Sequence, residues 1–393
     1  MPRTLRLALI SLGCLAYALV FGELFLRLLD PQPLVPRFVT GGRDGIRANL
    51  PGVAFRQWTP EVDVVVRYNI EGMRDDRAPP PLRKRPGECR VALLGDSYFV
   101  GFESDFAHSF GKRLEDDLAQ AGTPARVLNF AVSGFGTAEM LVAMRTRVAQ
   151  WQPDVVIMSW HYSDLADNVR AGLFTVEGAT TGTDVRLLPT GKPFVPGVEI
   201  SDRLMRVPGY RWLIENSHLY SAVRERAGTG LKTFLAELRG QKPAADDINA
   251  VAPVNAPPML DDPLDVFIPD RAPGMGNPLL DRALVYASRD TAAAIGAHFL
   301  LYEVPTSGAR TRLTPVLPLL GPLGGIVTAT PLPDFEAMAS PDVKLYYERG
   351  HHHWTDLANG IAARAAAQAL ARQGWLQACS GGNTSAAPAS TQP

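Results

Sequence analysis

Residues 90–100 read Arg-Val-Ala-Leu-Leu-Gly-Asp-Ser-Tyr-Phe-Val, so a short apolar run ends at a glycine and is followed by two polar residues. A run of this length predicts a β-strand that is buried on both faces, as in a parallel sheet covered by helices. In such a sheet, ligands bind outside the carboxyl ends of the strands. The stretch therefore predicts a parallel sheet and places Ser97 at the edge where chemistry takes place.

The same pattern recurs along the chain, where short apolar runs alternate with stretches of helical spacing. The predicted strands are Val62–Ile70, Arg90–Leu94, Ala125–Phe130, Val155–Trp160 and His298–Val304. The predicted helices are Ser109–Ala121, Thr137–Gln150, Arg282–Ile295 and Leu357–Gln373. This alternation predicts an α/β fold in which helices cover both faces of a central parallel sheet.

Shifts in composition divide the 393 residues into successive segments. Residues 1–30 are strongly apolar, and residues 31–86 form an irregular lead-in that is rich in proline at its start. The main domain is predicted at 87–378, with an insertion at about 169–278 where proline, glycine and polar residues weaken the pattern. Residues 379–393 have the composition of a disordered tail.

Composition excludes several classes of protein. Hydrophobic residues make up 46% of the chain and charged residues 20%, which is too apolar for a disordered chain. The formal net charge of −1 gives no electrostatic reason to expect a nucleic-acid partner. The three cysteines, Cys14, Cys89 and Cys379, are too few and too scattered for a disulfide scaffold or a CxxC metal site.

The N-terminal segment predicts a membrane anchor. Residues 7–26 are almost wholly apolar, and about 20 residues are needed to cross about 30 Å of hydrocarbon. Arg3 and Arg6 precede the run, which favours an N-terminus that stays in the cytoplasm. Glu23 and Arg27 lie four positions apart on one helical face, so they can pair at the far interface. We therefore expect a single-pass protein of the bacterial inner membrane whose main domain faces the periplasm.

Other interpretations of this segment remain open. Ala16-Tyr17-Ala18 resembles a signal-peptide cleavage site, although cleavage there would expose a very apolar new terminus to water, so we favour retention. The Leu12-Gly13-Cys14 stretch resembles a lipoprotein signal, but the apolar run continues past the cysteine. A buried helix of a soluble protein would need more polar residues on one face.

Polar motifs follow the next two predicted strands and precede the last helix. Asn129–Thr137 reads NFAVSGFGT, His161–Asn168 reads HYSDLADN, and Tyr346–Thr355 reads YYERGHHHWT. Together with Gly95-Asp96-Ser97, these motifs resemble the SGNH (GDSL-type) hydrolase family, in particular its membrane-anchored bacterial members related to periplasmic polysaccharide O-acetyltransferases and esterases. The resemblance runs from about Asn69 to Gln373 and implies a flavodoxin-like three-layer sandwich.

The resemblance also implies a role for individual residues. Ser97 matches the nucleophile, and His353 matches the base, with His352 as the second choice. Backbone N–H groups of Ser97 and Gly134 match two donors of the oxyanion hole, which stabilise charge that develops on the carbonyl oxygen. The third donor of the family is an asparagine, but this chain has Ser163 at the matching position.

Two departures from the family bear on the chemistry. The family places an aspartate two or three residues before the base, where this chain has His351 and Gly350. Glu348 is the nearest acidic replacement, and Asp356 is another. A serine reaches less far than an asparagine, so the oxyanion hole is expected to be weaker or to be completed by Asn168.

Further residues near these motifs have open roles. Asp164, Asp167 and Asn168 either contact the substrate directly or cap loops, and Asp96 is a further supporting candidate. We expect no metal at residues 351–353, because side chains of consecutive residues in an extended chain alternate in direction. Cys89 precedes the first strand of the sheet, and the last predicted helix runs back towards that end, so an oxidising compartment would permit a disulfide between Cys89 and Cys379.

These observations predict a serine esterase that acts on O-acyl groups, most simply O-acetyl groups, of cell-envelope or extracellular carbohydrate through an acyl-enzyme. No cofactor is expected. One alternative is a polysaccharide O-acyltransferase that uses the same residues and is supplied by a membrane-bound acyl donor protein. The other is a degenerate member that binds carbohydrate without catalysis, since loss of the orienting acid reduces the rate by several orders of magnitude.

Overall fold

The structure is a computed structural model. The model describes residues 2–36, 38–177, 185–195, 198–224, 226, 277–307, 313–340, 342–348 and 352–377.

The apolar N-terminal segment forms one long helix, α1 (Arg3–Leu29), and none of its residues is buried. At about 1.5 Å per residue, this helix is about 40 Å long. By length and composition it can cross a membrane, as predicted from residues 7–26.

The lead-in contains two hairpins that lie outside the main sheet. β1 (Val39–Gly41) pairs antiparallel with β2 (Arg47–Asn49), and β3 (Ala54–Trp58) pairs antiparallel with β4 (Asp63–Arg67). The strand predicted at Val62–Ile70 is therefore present as the shorter β4.

The main domain begins with alternating strands and helices. In chain order these are β5 (Arg90–Leu94), α2 (Ser97–Val100), α3 (Phe110–Gln120), β6 (Arg126–Asn129), α4 (Thr137–Ala143), β7 (Val155–Trp160) and α5 (Asp164–Ala171). The helix predicted at Thr137–Gln150 is interrupted, because α4 continues as a π-helical turn, Met144–Val148, and a 3₁₀ turn, Ala149–Trp151.

The described part of the insertion contains a hairpin, two short helices and a further helical stretch that begins at residue 218. The hairpin and the two short helices are β8 (Phe174–Glu177), β9 (Arg186–Pro189), α6 (Val198–Met205) and α7 (Tyr210–Asn216). The chain then returns to the main domain with α8 (Pro278–Ala294), β10 (His298–Glu303), β11 (Thr306–Ser307), β12 (Leu313–Thr314), β13 (Val327–Ala329), α9 (Leu332–Met338) and α10 (Asp356–Gln373).

Five of these strands form one parallel sheet in the order β13-β10-β7-β5-β6. One core packs on the face covered by α3 and α10, and a second core packs on the face covered by α4 and α8. All residues of β5 and β7 are buried, as their continuous apolar sequences require. The predicted α/β fold with helices on both faces of a parallel sheet is confirmed.

The last helix ends beside the start of the first central strand, as predicted. The carbonyl oxygen of Leu376 lies 3.5 Å from Sγ of Cys89, which is buried and disulfide-bonded. Its predicted partner, Cys379, lies outside the described residues. Cys14 is free and exposed on α1.

Candidate active site

The turn that follows β5 holds Ser97 at the carboxyl edge of the sheet. A Cβ atom on Gly95 would lie 2.6 Å from Oγ of Ser159 and 2.8 Å from Cβ of Phe99, so this position requires glycine. Asp96 caps α2 by accepting a hydrogen bond of 3.0 Å from the backbone N–H of Tyr98. Ser97 is the first residue of α2 and is buried. The nucleophile predicted from the sequence is therefore fixed by a capped turn.

His353 packs against the residues that follow Ser97. Its ring centroid lies 5.2 Å from that of Tyr98 and 5.6 Å from that of Phe102. The backbone carbonyl of His353 accepts a hydrogen bond of 2.9 Å from the N–H of Tyr347, which holds the loop that carries the ring. The structure thus brings the predicted base from the C-terminal part of the chain to the turn of the predicted nucleophile.

A buried carboxylate lies against the His353 ring. Oε2 of Glu103 is 3.0 Å from Nδ1 of His353, and the Glu103 side chain is fully buried. The backbone of Glu103 has a φ of 62°, in the left-handed region, and its N–H donates a hydrogen bond of 2.9 Å to Oε1 of Gln57. A non-glycine residue in this conformation is held there at a cost, which is typical of functional sites. Glu103 thus occupies the position of an acid that orients a catalytic histidine.

The prediction of Glu348 as this acid is wrong. Its side chain is 70% exposed, and its carboxylate lies 3.8 Å from Nζ of Lys344. Asp356 is not at the ring either, because its carboxylate faces Nδ1 of His108 at 3.6 Å. The sequence does carry a signal for Glu103, since it is an acidic residue six positions after Ser97 at the end of an apolar stretch.

The loop that contains Gly134 is held from the side of the lead-in. Gly134 has a φ of 77°, which a side chain would make unfavourable. Nη2 of Arg47 donates a hydrogen bond of 2.6 Å to the carbonyl of Gly134, and Nη1 lies 3.4 Å from the carbonyl of Ser133. The N–H of Gly134, which was predicted as an oxyanion donor, therefore lies between two backbone carbonyls that Arg47 holds in place.

Arg47 is in turn held by a buried carboxylate. Its Nε and Nη2 lie 3.1 Å and 2.7 Å from the two carboxylate oxygens of Glu139 on α4. Burial raises the pKa of Glu139, and the nearby charge of Arg47 opposes that shift. Nδ2 of Asn49 adds a hydrogen bond of 2.9 Å to the carbonyl of Ala131 in the same loop. No role for this part of the lead-in was predicted from the sequence.

Ser163, the predicted third oxyanion donor, contacts a histidine that sequence analysis did not single out. Oγ of Ser163 lies 3.0 Å from Nδ1 of His161. Burial, assisted by the charge of His353, lowers the pKa of His161 to about 3, so its ring is neutral at neutral pH. The His161 ring also lies 5.4 Å from Tyr98, whose ring contacts His353 as well.

Asn168 does not complete the oxyanion hole, contrary to one prediction. It is fully buried, its Oδ1 accepts a hydrogen bond of 2.7 Å from the N–H of Ala138, and its Nδ2 donates one of 2.9 Å to Oδ1 of Asp281. Its side-chain amide therefore links α4, α5 and α8 through these two hydrogen bonds. Burial raises the pKa of Asp281 to about 7.

The remaining candidates support the turn and the loops. Burial raises the pKa of Asp96 to about 6, although the charge of His353 lowers it. Asp164 accepts a hydrogen bond of 3.2 Å from the N–H of His161, and burial raises its pKa. His352 has a φ of 57° and accepts a hydrogen bond of 3.2 Å from the hydroxyl of Tyr98 through its carbonyl.

Within the described residues, no group of three histidine, cysteine or acidic side chains could hold a metal ion. The chemistry that the site can perform is that of a buried serine beside a histidine that is oriented by a carboxylate. Backbone N–H groups on the same edge are available to receive negative charge.

Neither a protein-family model nor a curated protein sequence matches this chain. Solved structures similar to it include TesA, with 14% identity, a TM-score of 0.34 and coverage of 72% of this chain and 97% of that one. An acetyl xylan esterase, AlAXEase, has 14% identity, a TM-score of 0.27 and coverage of 72% and 99%. AlinE4, an SGNH-hydrolase family esterase, has 21% identity, a TM-score of 0.20 and coverage of 45% and 89%.

Proposed function

We propose that this protein is a serine esterase of the SGNH type that removes O-acyl groups, O-acetyl groups in the first instance, from cell-envelope or extracellular carbohydrate. The observation that carries the proposal is the 3.0 Å contact between Oε2 of Glu103 and Nδ1 of His353, with the His353 ring packed beside the turn of Ser97. A carboxylate, a histidine and a serine in this relationship constitute the machinery of nucleophilic ester cleavage.

In the proposed reaction, Oγ of Ser97 attacks the acyl carbonyl carbon while Nε2 of His353 accepts the hydroxyl proton. The Glu103 carboxylate stabilises the imidazolium that forms and holds the ring in the required orientation. Negative charge on the carbonyl oxygen is stabilised by the N–H groups of Ser97 and Gly134. The hydroxyl of Ser163 is a third donor in the tautomer of His161 whose Nδ1–H donates to Oγ of Ser163. His353 then returns the proton to the sugar oxygen as the carbon–oxygen bond breaks, which leaves an acyl-enzyme.

Water completes the reaction in an esterase. It attacks the acyl carbon of the acyl-enzyme and transfers a proton to His353, which passes it to Oγ of Ser97 as the bond between Oγ and the acyl carbon breaks and the carboxylic acid leaves. In an acyltransferase, a sugar hydroxyl would take the place of water at this step. The same residues serve both outcomes, so the product distinguishes them.

The alternative of a non-catalytic carbohydrate-binding protein was motivated by the absence of an acid close to His353 in sequence. Glu103 supplies an acid from the loop after the nucleophile, and this supports the enzymatic alternative.

The proposed location is the bacterial inner membrane, with α1 as the anchor and the main domain in the periplasm. The ion pair expected at the outer end of the span is present, since Nη2 of Arg27 lies 2.9 Å from Oε1 of Glu23. Such a location would place the enzyme beside envelope carbohydrate.

A fluorophosphonate probe tests the proposal directly, because it reacts covalently with activated serine nucleophiles. The wild-type protein should be labelled at Ser97, and the Ser97→Ala variant should not. The wild-type protein should also turn over a chromogenic acetyl ester, and the Ser97→Ala variant should not. Turnover is measured with and without an acceptor oligosaccharide. Acetylated oligosaccharide as the main product would favour the transferase, and absence of labelling in the wild type would favour the binding protein.

A further inference from the structure

The outer end of α1 is attached to the insertion by a set of short hydrogen bonds. The carboxylate of Glu23 accepts bonds of 2.8 Å from the hydroxyl of Ser217, 3.1 Å from the N–H of His218 and 2.9 Å from the N–H of Leu219. This carboxylate therefore caps the helical stretch that begins at residue 218. A capped contact of this kind fixes both the position and the angle of α1 relative to the domain.

Other contacts extend this attachment. Nη2 of Arg27 donates a hydrogen bond of 2.6 Å to the carbonyl of Asn216, the last residue of α7. Nδ1 of His218 lies 2.8 Å from the carbonyl of Gln32, and the hydroxyl of Ser221 donates a bond of 2.7 Å to the carbonyl of Pro33. The chain that leaves α1 is thus held against the insertion and does not act as a free tether.

These contacts set the height of the insertion relative to a membrane. If residues 7–26 cross the hydrocarbon, Glu23 lies within about 5 Å of its outer boundary along the helix, at about 1.5 Å per residue. A Cβ atom on Gly22 would lie 3.4 Å from Cδ2 of Leu219, so the insertion reaches that depth as well. The residues around Ser217 consequently lie at the outer boundary of the hydrocarbon, next to the lipid headgroups.

The helices that lead to this point carry an exposed apolar face. Ile200 and Leu204 are exposed one turn apart on the same side of α6, and Val207 is exposed two residues after this helix ends. Trp212 is 64% exposed and lies one turn before Asn216 on α7. We call these four side chains the α6–α7 face.

Two exposed arginines that can bind lipid phosphate lie around this face, alongside the acidic residues Glu199 and Asp202 of the same helix. Arg203 and Arg206 are exposed between Ile200 and Val207. Guanidinium groups bind phosphate, and tryptophan is enriched at the boundary between hydrocarbon and headgroups. Apolar residues flanked by arginines are typical of helices that lie in the plane of an interface.

We propose that the α6–α7 face lies on the phospholipid surface of the membrane that α1 crosses and inserts Trp212 and Ile200 among the headgroups. The proposal rests on the membrane anchoring of α1 that forms part of the proposed function. It makes the insertion a second membrane contact, so that the active-site edge has a fixed orientation relative to the bilayer.

Fluorescence quenching in nanodiscs tests this contact on the full chain. Ile200→Cys and Trp212→Cys, each in a Cys14→Ser background, are labelled with an environment-sensitive dye and reconstituted with anionic phospholipid that carries bromine near the headgroup end of its acyl chains. Cys89 is disulfide-bonded and stays unlabelled without reductant. The matched control is Ile70→Cys, because Ile70 is 70% exposed and Ile200 is 65% exposed. Labels at 200 and 212 are expected to be quenched at least threefold more than the label at 70.

The native Cys14 separates failure of this proposal from failure of the anchor. Cys14 lies near the middle of the span in α1, so in matched nanodiscs whose lipid carries bromine near the ends of the acyl chains its label is quenched whenever the helix spans the bilayer. Quenching at Cys14 without quenching at 200 and 212 would overturn the membrane contact and leave the anchor intact. Lack of quenching at all three positions would overturn both. Pairing of two chains through residue 200, detected by cross-linking, in place of lipid quenching would assign the face to a second copy and overturn the proposal.

Discussion

Glu103 and His353 are 250 positions apart in the chain, yet Oε2 of one lies 3.0 Å from Nδ1 of the other, and both side chains are buried. The carboxylate of Glu103 reaches the histidine from the loop that follows Ser97, because the turn at Ser97 leads directly into residues 101–103. The histidine arrives from the loop before α10.

Replacement of Glu103 tests its role as the orienting acid. Glu103→Gln keeps the size of the side chain but removes the charge that stabilises the imidazolium, so kcat should fall by about 10³- to 10⁴-fold. Glu348→Gln, the matched control, should stay within about twofold of the wild type, since surface substitutions away from the site have small effects. Steady-state turnover of an acetyl ester measures both, and the opposite order of effects would restore Glu348 as the acid.

The hydroxyl of Ser163 is expected to act as an oxyanion donor. Ser163→Ala should lower kcat at least tenfold with little change in KM, because such a donor acts in the transition state more than in the ground state. Ser163→Asn, which introduces an amide N–H donor at the same position, should retain more activity than the alanine variant. An alanine variant with wild-type kcat would show that Ser163 is not part of the hole.

Arg47 is predicted to act on catalysis through the Gly134 loop. Arg47→Met leaves Glu139 buried without its partner and should lower the free energy of unfolding by about 3–5 kcal/mol, measured by urea unfolding. Arg56→Met, which breaks the exposed pair with Asp63, is the control and should cost about 0–1 kcal/mol.

The double variant separates stability from positioning. Arg47→Met/Glu139→Leu removes the unpaired charge and should regain most of the lost stability. The carbonyl of Gly134 still lacks its donor, so kcat should stay low. Recovery of kcat together with stability would show that Arg47 has only a structural role.

The raised pKa of Asp281 predicts a pH-dependent contribution to stability. Its pKa is about 7 in the folded protein and 3.8 ordinarily, so between about pH 4 and 7 the folded state holds a proton that the unfolded chain releases. The contribution of this carboxyl to stability therefore decreases as the pH rises through that window.

Thermal unfolding of Asp281→Asn measures this contribution, since the amide resembles the protonated carboxyl. As the pH rises from 4 to 7, the Tm of the wild type should fall relative to the Tm of Asp281→Asn. Asp290→Asn, an exposed position on the same helix, should give a difference that does not depend on pH in this way. A pH-independent difference for Asp281→Asn would mean that the carboxyl stays ionised.

The disulfide of Cys89 is expected to include Cys379 and to stabilise the end of α10. Peptide mapping without reductant should recover a linked pair of peptides that contain these two cysteines. Cys89→Ser should lower the free energy of unfolding by about 2–4 kcal/mol, whereas Cys14→Ser should not. A reductant should then lower the Tm of the wild type but leave that of Cys89→Ser unchanged.

The central strands could be predicted from the sequence because burial on both faces leaves a continuous apolar run. The bounds of β5 and β7 match the prediction, and β10 differs by one residue. The edge strand β13 has only three residues and was not predicted, since so short a stretch has no distinct pattern. The π-helical turn after α4 was also missed, because helical spacing does not distinguish the two kinds of turn.

The site was only partly predictable. Ser97 and His353 stand in motifs whose order along the chain can be recognised, but the acid was sought close to the histidine. The carboxylate that contacts the histidine in the structure comes from Glu103, and its position depends on a left-handed turn and on packing between distant segments, which no local pattern records. The roles of Arg47 and His161 were missed for the same reason, since both act through contacts made in the folded chain.

The placement of Glu103 alters what can vary during evolution. When one short stretch carries both the acid and the nucleophile, the histidine is the only residue of its loop that catalysis requires. The other positions of that loop can then diverge. Motif searches that demand an aspartate just ahead of the histidine would pass over such proteins, whereas a pattern spanning residues 95–103 would retrieve them.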